Sequence, residues 1–190
     1  QALLKKAAGL DIQMLLPLHG FVWRQDLGYI LGKYDLWSRY EPEQRGVVIA
    51  YASVYGGTEN AANILACRLR EQGVQVEMFD TSVTPASYIL AAAFRFSHVV
   101  LAAPTYNGGV FVTMENLLHD LTAHGLKGRR AAYIENGSWA PTSARGMQKL
   151  LEPLNWETAA DTVTLRSALR QGQQEDLERM AAQLAESVKA

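Results

Sequence analysis

One cysteine, Cys67, stands alone among the 190 residues, so no intrachain disulfide can form and the chain suits a reducing compartment. Long apolar runs are missing as well. Nowhere do about 18 or more apolar residues follow one another, which excludes a helix that spans a membrane. The opening residues Gln1-Ala2-Leu3-Leu4-Lys5-Lys6 lack the features of a signal peptide, and a cytoplasmic setting is the expectation. Net charge is scarce: 18 Lys and Arg against 19 Asp and Glu leave −1, too little to draw nucleic acid, an anionic membrane or a highly charged partner. The histidines His98, His119 and His124 do not cluster and receive no role. What the chain does have is 48% hydrophobic residues beside only 19% charged ones, enough for one α/β domain of about 150 residues with an excess to account for.

That excess lies at the start. The chain opens at Gln1 rather than methionine, which reads as a fragment or a processed chain, and residues 1–8 read as a helix end stopped by Gly9. A turn at Pro17-Leu18-His19-Gly20 follows, then helical spacing from Asp26 to Tyr40 through Leu27, Ile30, Leu31 and Tyr34. The polar Glu41-Pro42-Glu43-Gln44-Arg45-Gly46 has the composition of a linker. Beyond it, β-rich runs alternate with helical segments. The strands expected are Val47–Ala52, Val74–Phe79, His98–Ala103, Ala131–Glu135 and Thr162–Leu165. Gly73 should stop the first intervening helix, Thr84-Pro85 should open the second as N-cap and first helical residue, and Gly125 should close the third. Phe111, Met114, Leu117, Leu118 and Leu121 form one core stripe, and Leu177, Met180, Ala181, Leu184 and Val188 another. Cys67 reads as filler of the core or its flank. Such a parallel sheet places its ligand site at the carboxyl ends of the strands, where strand order reverses.

The loop after the first strand runs Ser53-Val54-Tyr55-Gly56-Gly57-Thr58 into a helix. Backbone N–H groups opened by two glycines, three hydroxyls and a helix N-terminus favour an anion. No lysine or arginine lies in the loop, and neither a P-loop nor a Gly-x-Gly-x-x-Gly fingerprint is present, so a monophosphate fits better than a triphosphate with magnesium. Taken alone, the loop is equally readable as an ordinary turn capped by Thr58. Two further loops, Pro104-Thr105-Tyr106-Asn107-Gly108 and Asn136-Gly137-Ser138-Trp139, each join an aromatic to small polar groups, which suits the wall and rim of a flat heteroaromatic ring. Tyr106 and Trp139 are the candidate walls.

Leu16-Pro17-Leu18-His19-Gly20-Phe21-Val22-Trp23-Arg24, then Tyr34-Asp35-Leu36-Trp37-Ser38-Arg39-Tyr40-Glu41-Pro42-Glu43, then the Ser53 to Glu59 loop, together resemble the flavodiiron proteins (A-type flavoproteins). The resemblance covers almost the whole chain. It implies a remnant of a metallo-β-lactamase-like domain plus linker over residues 1–43, and a flavodoxin-like domain over residues 44–190. The fold implied is α/β, a doubly wound five-stranded parallel sheet of order 2-1-3-4-5 with helices on both faces. FMN is the implied cofactor. Ser53, Val54, Tyr55, Gly56, Gly57 and Thr58 would surround its phosphate, while Pro104, Thr105, Tyr106, Asn107, Gly108, Ser138 and Trp139 would contact its ring. The third loop is shorter before its tryptophan than the Ser-Tyr-Gly-Trp-like stretch expected of the family.

His19 matches the family's last iron-ligating histidine, but one ligand cannot hold two irons, so the chain itself is expected to be iron-free. The implied role is an electron-transfer module that takes electrons from a partner such as a rubredoxin or a flavin reductase. It would pass them to the di-iron site of an oxygen or nitric oxide reductase, with a homodimer as the family's arrangement. The fragment alone is not expected to reduce either gas. The alternatives are a free-standing flavodoxin or a flavodoxin-like NAD(P)H:quinone reductase. A flexible peptide at Asn107-Gly108, freed by the glycine, is expected to tune the flavin potentials.

Overall fold

A computed structural model describes residues 2–190. The first strand, β1 (Gln44–Tyr51), leads through α3 (Gly57–Glu71) to β2 (Val76–Asp80), then through α4 (Ala86–Arg95) to β3 (Phe96–Tyr106). A two-residue β4 (Gly109–Val110) precedes α5 (Val112–Ala123), β5 (Arg130–Asn136) and α6 (Ser143–Leu151), and β6 (Glu157–Thr158) and β7 (Val163–Leu165) precede the final α7 (Gln171–Lys189). Ahead of them stand α1 (Ala2–Ala7) and α2 (Leu27–Ser38). Residue 1, included in the expected first helix, lies outside the described residues.

The sheet runs β2-β1-β3-β5-β6, parallel throughout this path, with β4 folded back antiparallel on β3 and β7 also on β5. Leaving out the small hairpin, this is the expected 2-1-3-4-5 order. The fifth position is divided between two pieces. Glu157–Thr158 pairs with the start of β5, and Val163–Leu165 with its end, so the expected strand Thr162–Leu165 is only the second half. The first half is exposed on both residues and carries no apolar run to announce it.

Because helices cover both faces, the central strands are apolar on both sides. Val47 and Ile49 of β1 and Val100 and Ala102 of β3 pack with Leu65, Leu69, Leu177 and Leu184 of α3 and α7. Their strand neighbours Ala50, Val99 and Leu101 face Ile89, Met114, Leu118 and Met147 of α4, α5 and α6. Each such leucine contributes about 1.5–3 kcal/mol by leaving water. Both expected helix stripes are buried, except that Phe111 is the half-buried residue preceding α5. Gly73 and Gly125 follow their helices in left-handed conformation, whereas α4 opens one residue later than expected, with Pro85 extended at the cap position. Cys67 is exposed, which corrects its reading as core: it points outward from α3, whose buried stripe is Ala62, Leu65, Ala66 and Leu69.

The segment ahead of β1 is fastened to this body. Arg129, 2% exposed, donates to the carbonyls of Ala93 at 2.7 Å, Phe94 at 2.6 Å and Tyr40 at 2.6 Å. Burial pushes its guanidinium down to about 10, so it stays charged at neutral pH and satisfies the carbonyl end of α4, where a cation is favoured. Glu43 bonds Trp37 Nε1 at 2.6 Å and pairs with Lys33. Burial raises the Glu43 carboxyl, but those bonds and the charges of Lys33 and Arg95 carry it below the usual range.

Candidate functional site

Where β1 and β3 run parallel and their connections leave to opposite faces, a cleft of about 380 Å³ opens at the carboxyl ends of the strands. Its lining draws on four loops. Ser53, Val54, Tyr55, Gly57 and Thr58 come from the loop after β1; Pro104, Thr105 and Tyr106 from the end of β3; Asn136, Gly137 and Ser138 from the end of β5; and Ser167 and Ala168 from the loop after β7. None of these residues is charged.

The loop after β1 ends at Gly56, whose φ of 81° makes it the left-handed cap of α3, with no side chain capping the helix. The reading as a turn capped by Thr58 therefore does not hold. The first helical bond runs from Asn60 N to Gly56 O at 2.9 Å, leaving the N–H groups of residues 57 to 59 without intrahelical partners, the usual state of a helix start. Ser53 Oγ, shielded from solvent, has no hydrogen-bond partner among the described residues. An acidic Glu59 sits in this first turn, but its charge falls on Tyr51, whose phenol is raised by burial and by the carboxylates of Glu59 and Asp80.

Thr105 is fixed from the other side, its Oγ1 accepting from the N–H groups of Thr142 at 2.8 Å and Ser143 at 3.1 Å. Tyr106 stands edge-on to Phe111, ring centroids 5.5 Å apart, a packing that holds its ring beside the cleft. Asn107 (φ 50°) and Gly108 (φ 75°) form the two-residue turn joining β3 to β4, with Tyr106 paired to Gly109. Two successive positive φ values mark this as a type I′ hairpin.

Asn136 organises the remainder. Buried at the end of β5, its Oδ1 accepts from Ser167 N at 2.9 Å while its Nδ2 donates to Ser167 O at 2.9 Å and to Thr58 Oγ1 at 3.3 Å. Ser138 and Ser167 share a hydroxyl bond of 2.8 Å. Of the residues expected from sequence, Gly56, Asn107, Gly108 and Trp139 do not line the cleft, and Trp139 is 91% exposed. Ser167 and Ala168 were not foreseen, because a short Arg-Ser-Ala-Leu loop after a three-residue strand carries no motif. Among the described residues no three His, Cys, Asp or Glu side chains gather as a metal site, and His19 is exposed in the loop between the bridged Leu15 and Trp23. No described helix is long and apolar enough to cross a membrane.

No protein-family model matches the chain. In sequence it is 29% identical over 143 residues to the nitric oxide reductase of Moorella thermoacetica, covering 75% of this chain and 35% of that protein. In structure it is similar to the rubredoxin oxygen:oxidoreductase of Desulfovibrio gigas, with a TM-score of 0.89 at 22% identity over 97% of this chain and 46% of that one. The flavodiiron protein of Giardia intestinalis gives a TM-score of 0.88 at 21% identity, over 99% of this chain and 47% of that one. The chain thus spans less than half the length of these relatives. Its structural neighbours include flavodiiron proteins and also a flavodoxin, matched at a TM-score of 0.65 over 74% of this chain and 98% of that one, so the shared part carries the flavodoxin-like fold.

Proposed function

We propose that this chain is an FMN-binding electron-transfer module. The observation that carries the reading is the chemistry of the cleft. The unpartnered Ser53 hydroxyl, the Thr58 hydroxyl and the free N–H groups at the start of α3 meet at one end of an uncharged pocket, which suits a phosphate held by dipoles. The other end offers Tyr106 and the backbone edges of Pro104-Thr105 and Gly137-Ser138, which suit a flat ring. When bound, FMN supplies one- and two-electron chemistry, and the protein supplies orientation and electrostatics. In this reading residues 53–58 hold the phosphate and Thr105, Tyr106 and Ser138 flank the ring. Asn107, Gly108 and Trp139 lie outside the lining of the cleft.

The longer protein would then be an oxygen or nitric oxide reductase in a cytoplasmic setting. This module would take electrons from a rubredoxin-type donor and deliver them to a di-iron domain, within a homodimer. Residues 1–43 are the end of that domain with its linker. In support, no residue of α1 or α2 is buried, while Leu3, Leu10, Leu16, Leu18 and Phe21 are exposed, as expected of a segment built to pack on a partner. The same surface weighs against a free-standing flavodoxin.

Titration of the purified chain with FMN and with riboflavin, followed by absorption and fluorescence, tests the reading. FMN should bind at least about 100-fold more tightly than riboflavin, since several charge-assisted bonds to the phosphate are at stake. Equal affinity would remove the phosphate site and the function with it.

A further inference from the structure

Thr58 Oγ1 is the polar side-chain atom at the start of α3 whose own proton is unassigned, and Asn136 determines where that proton goes. The orientation of the Asn136 amide is not ambiguous. Its oxygen must face Ser167 N–H and its nitrogen must face Ser167 C=O, at 2.9 Å each, so the second amide hydrogen is left for Thr58 Oγ1 at 3.3 Å. A hydroxyl that accepts from a fixed donor keeps its own hydrogen free to donate elsewhere. Thr58 is 2% exposed, and the cleft that it lines is the face where Ser53 Oγ also lacks a partner.

We infer that Asn136 is a positioning residue that makes Thr58 a hydrogen-bond donor to an anionic group in the cleft. Nothing in Asn136 itself need touch that group. The inference rests on the FMN reading and adds to it the means by which a loop without lysine or arginine distinguishes a phosphate from no phosphate. A hydroxyl left to rotate would present lone pairs to the anion part of the time. The amide removes that option, because both of its own partners on Ser167 are backbone groups and cannot turn away.

The test is a double-mutant cycle on the full chain, Asn136→Leu and Thr58→Val, with FMN and riboflavin as the two probes. Each single change should weaken FMN binding by about 10- to 100-fold, the loss of one hydrogen bond to a charged group, and leave riboflavin within about twofold. In the Thr58→Val background the Asn136 change should cost FMN binding little more. Should Asn136→Leu not fold, Asn136→Asp keeps the bond from Ser167 N–H. Its added charge acts in both backgrounds, so the difference between them still reads the coupling. Equal losses in the two backgrounds would overturn the inference, as would FMN and riboflavin weakening together, which would mean a merely structural bracket. Parent chain that binds the two flavins equally would instead overturn the underlying reading.

Discussion

Replacing Gly57 by alanine sets helix propensity against packing within one residue. As the first residue of α3, Gly57 has no positive φ, and propensity alone favours alanine by up to about 1 kcal/mol. A Cβ there, however, would lie well inside 3.0 Å of the Ser167 carbonyl oxygen and 3.2 Å from Asn136 Nδ2. Ser167 cannot give way cheaply, since both of its backbone polar groups are tied to Asn136 and its φ of 65° is already left-handed. Forcing a methyl into such a contact costs about 1–3 kcal/mol. The net expectation is a loss of up to about 2 kcal/mol even after the full propensity gain, read as a lower urea midpoint at unchanged slope, with FMN affinity reduced at least about tenfold because the start of α3 must shift. Gly32→Ala provides the contrast: nothing lies within 4 Å of the Cβ in α2, so the same change should stabilise by about 0.5–1 kcal/mol. A Gly57→Ala chain as stable as the parent, with unaltered FMN binding, would refute the packing argument.

Two other perturbations have signs fixed by the structure. His98, 3% exposed, bonds Ser97 Oγ at 2.8 Å and Ser187 Oγ at 2.9 Å, and burial, with Arg130 and Arg45 nearby, pushes it down to about 4 from 6.5. The unfolded chain then binds the extra proton between pH 6.5 and 4. Stability is full above pH 6.5 and declines by about 3 kcal/mol as pH falls to 4; urea unfolding against pH should show this, and an equally steep decline in His98→Gln would reject it. For the hairpin, rotating the Asn107-Gly108 peptide turns a type I′ turn into type II′, which asks for glycine at the first position. The restraint on that motion therefore sits on Asn107 rather than on Gly108. Both turns hold Asn107 at positive φ, but only the rotated one places it where a side chain is excluded, so Asn107→Gly should favour that turn by about 1 kcal/mol, a change of roughly 40 mV in a one-electron potential of bound FMN; potentials unmoved by that substitution would remove the peptide from any tuning role.

The alternating pattern of apolar runs made the sheet and its helices legible, because buried strands and amphipathic helices advertise themselves by period and length. The same rule explains the gaps. Glu157–Thr158 pairs with the start of β5 as two exposed residues, and one β-branched threonine beside a glutamate is too short and too polar a run to read as a strand. Ser53 to Thr58 stood out through its glycines and hydroxyls. Ser167 enters the site through backbone bonds to Asn136 and one hydroxyl bond to Ser138, and a lone serine in a short loop carries no motif that would announce either. Asn136 was visible as a loop residue, but its importance lies in bonding two segments, at Thr58 and at Ser167, that are 78 and 31 positions away. Trp139 was prominent as an aromatic at a strand end, yet being a large ring does not decide which way a loop residue faces.

The two ends of the chain show opposite solutions to the same requirement. A helix with apolar residues on every side belongs in a core, and α2 has them at Leu27, Tyr29, Ile30, Leu31, Leu36 and Trp37, yet none is buried. In contrast α7, whose outer face is Glu175, Glu178, Glu186 and other exposed residues, buries one complete stripe. Helix α2 is therefore supported by the Glu43 contacts and, just beyond its end, by the Arg129 bond to Tyr40, while Tyr29 and Tyr34 stay exposed among the described residues. The proposed function, in which residues 1–43 end a further domain, supplies a reason for such a surface. On the proposed function, a segment held this tightly before β1 would fix the module's orientation relative to whatever covers α2, and orientation is what an electron-transfer site without a steering charge requires.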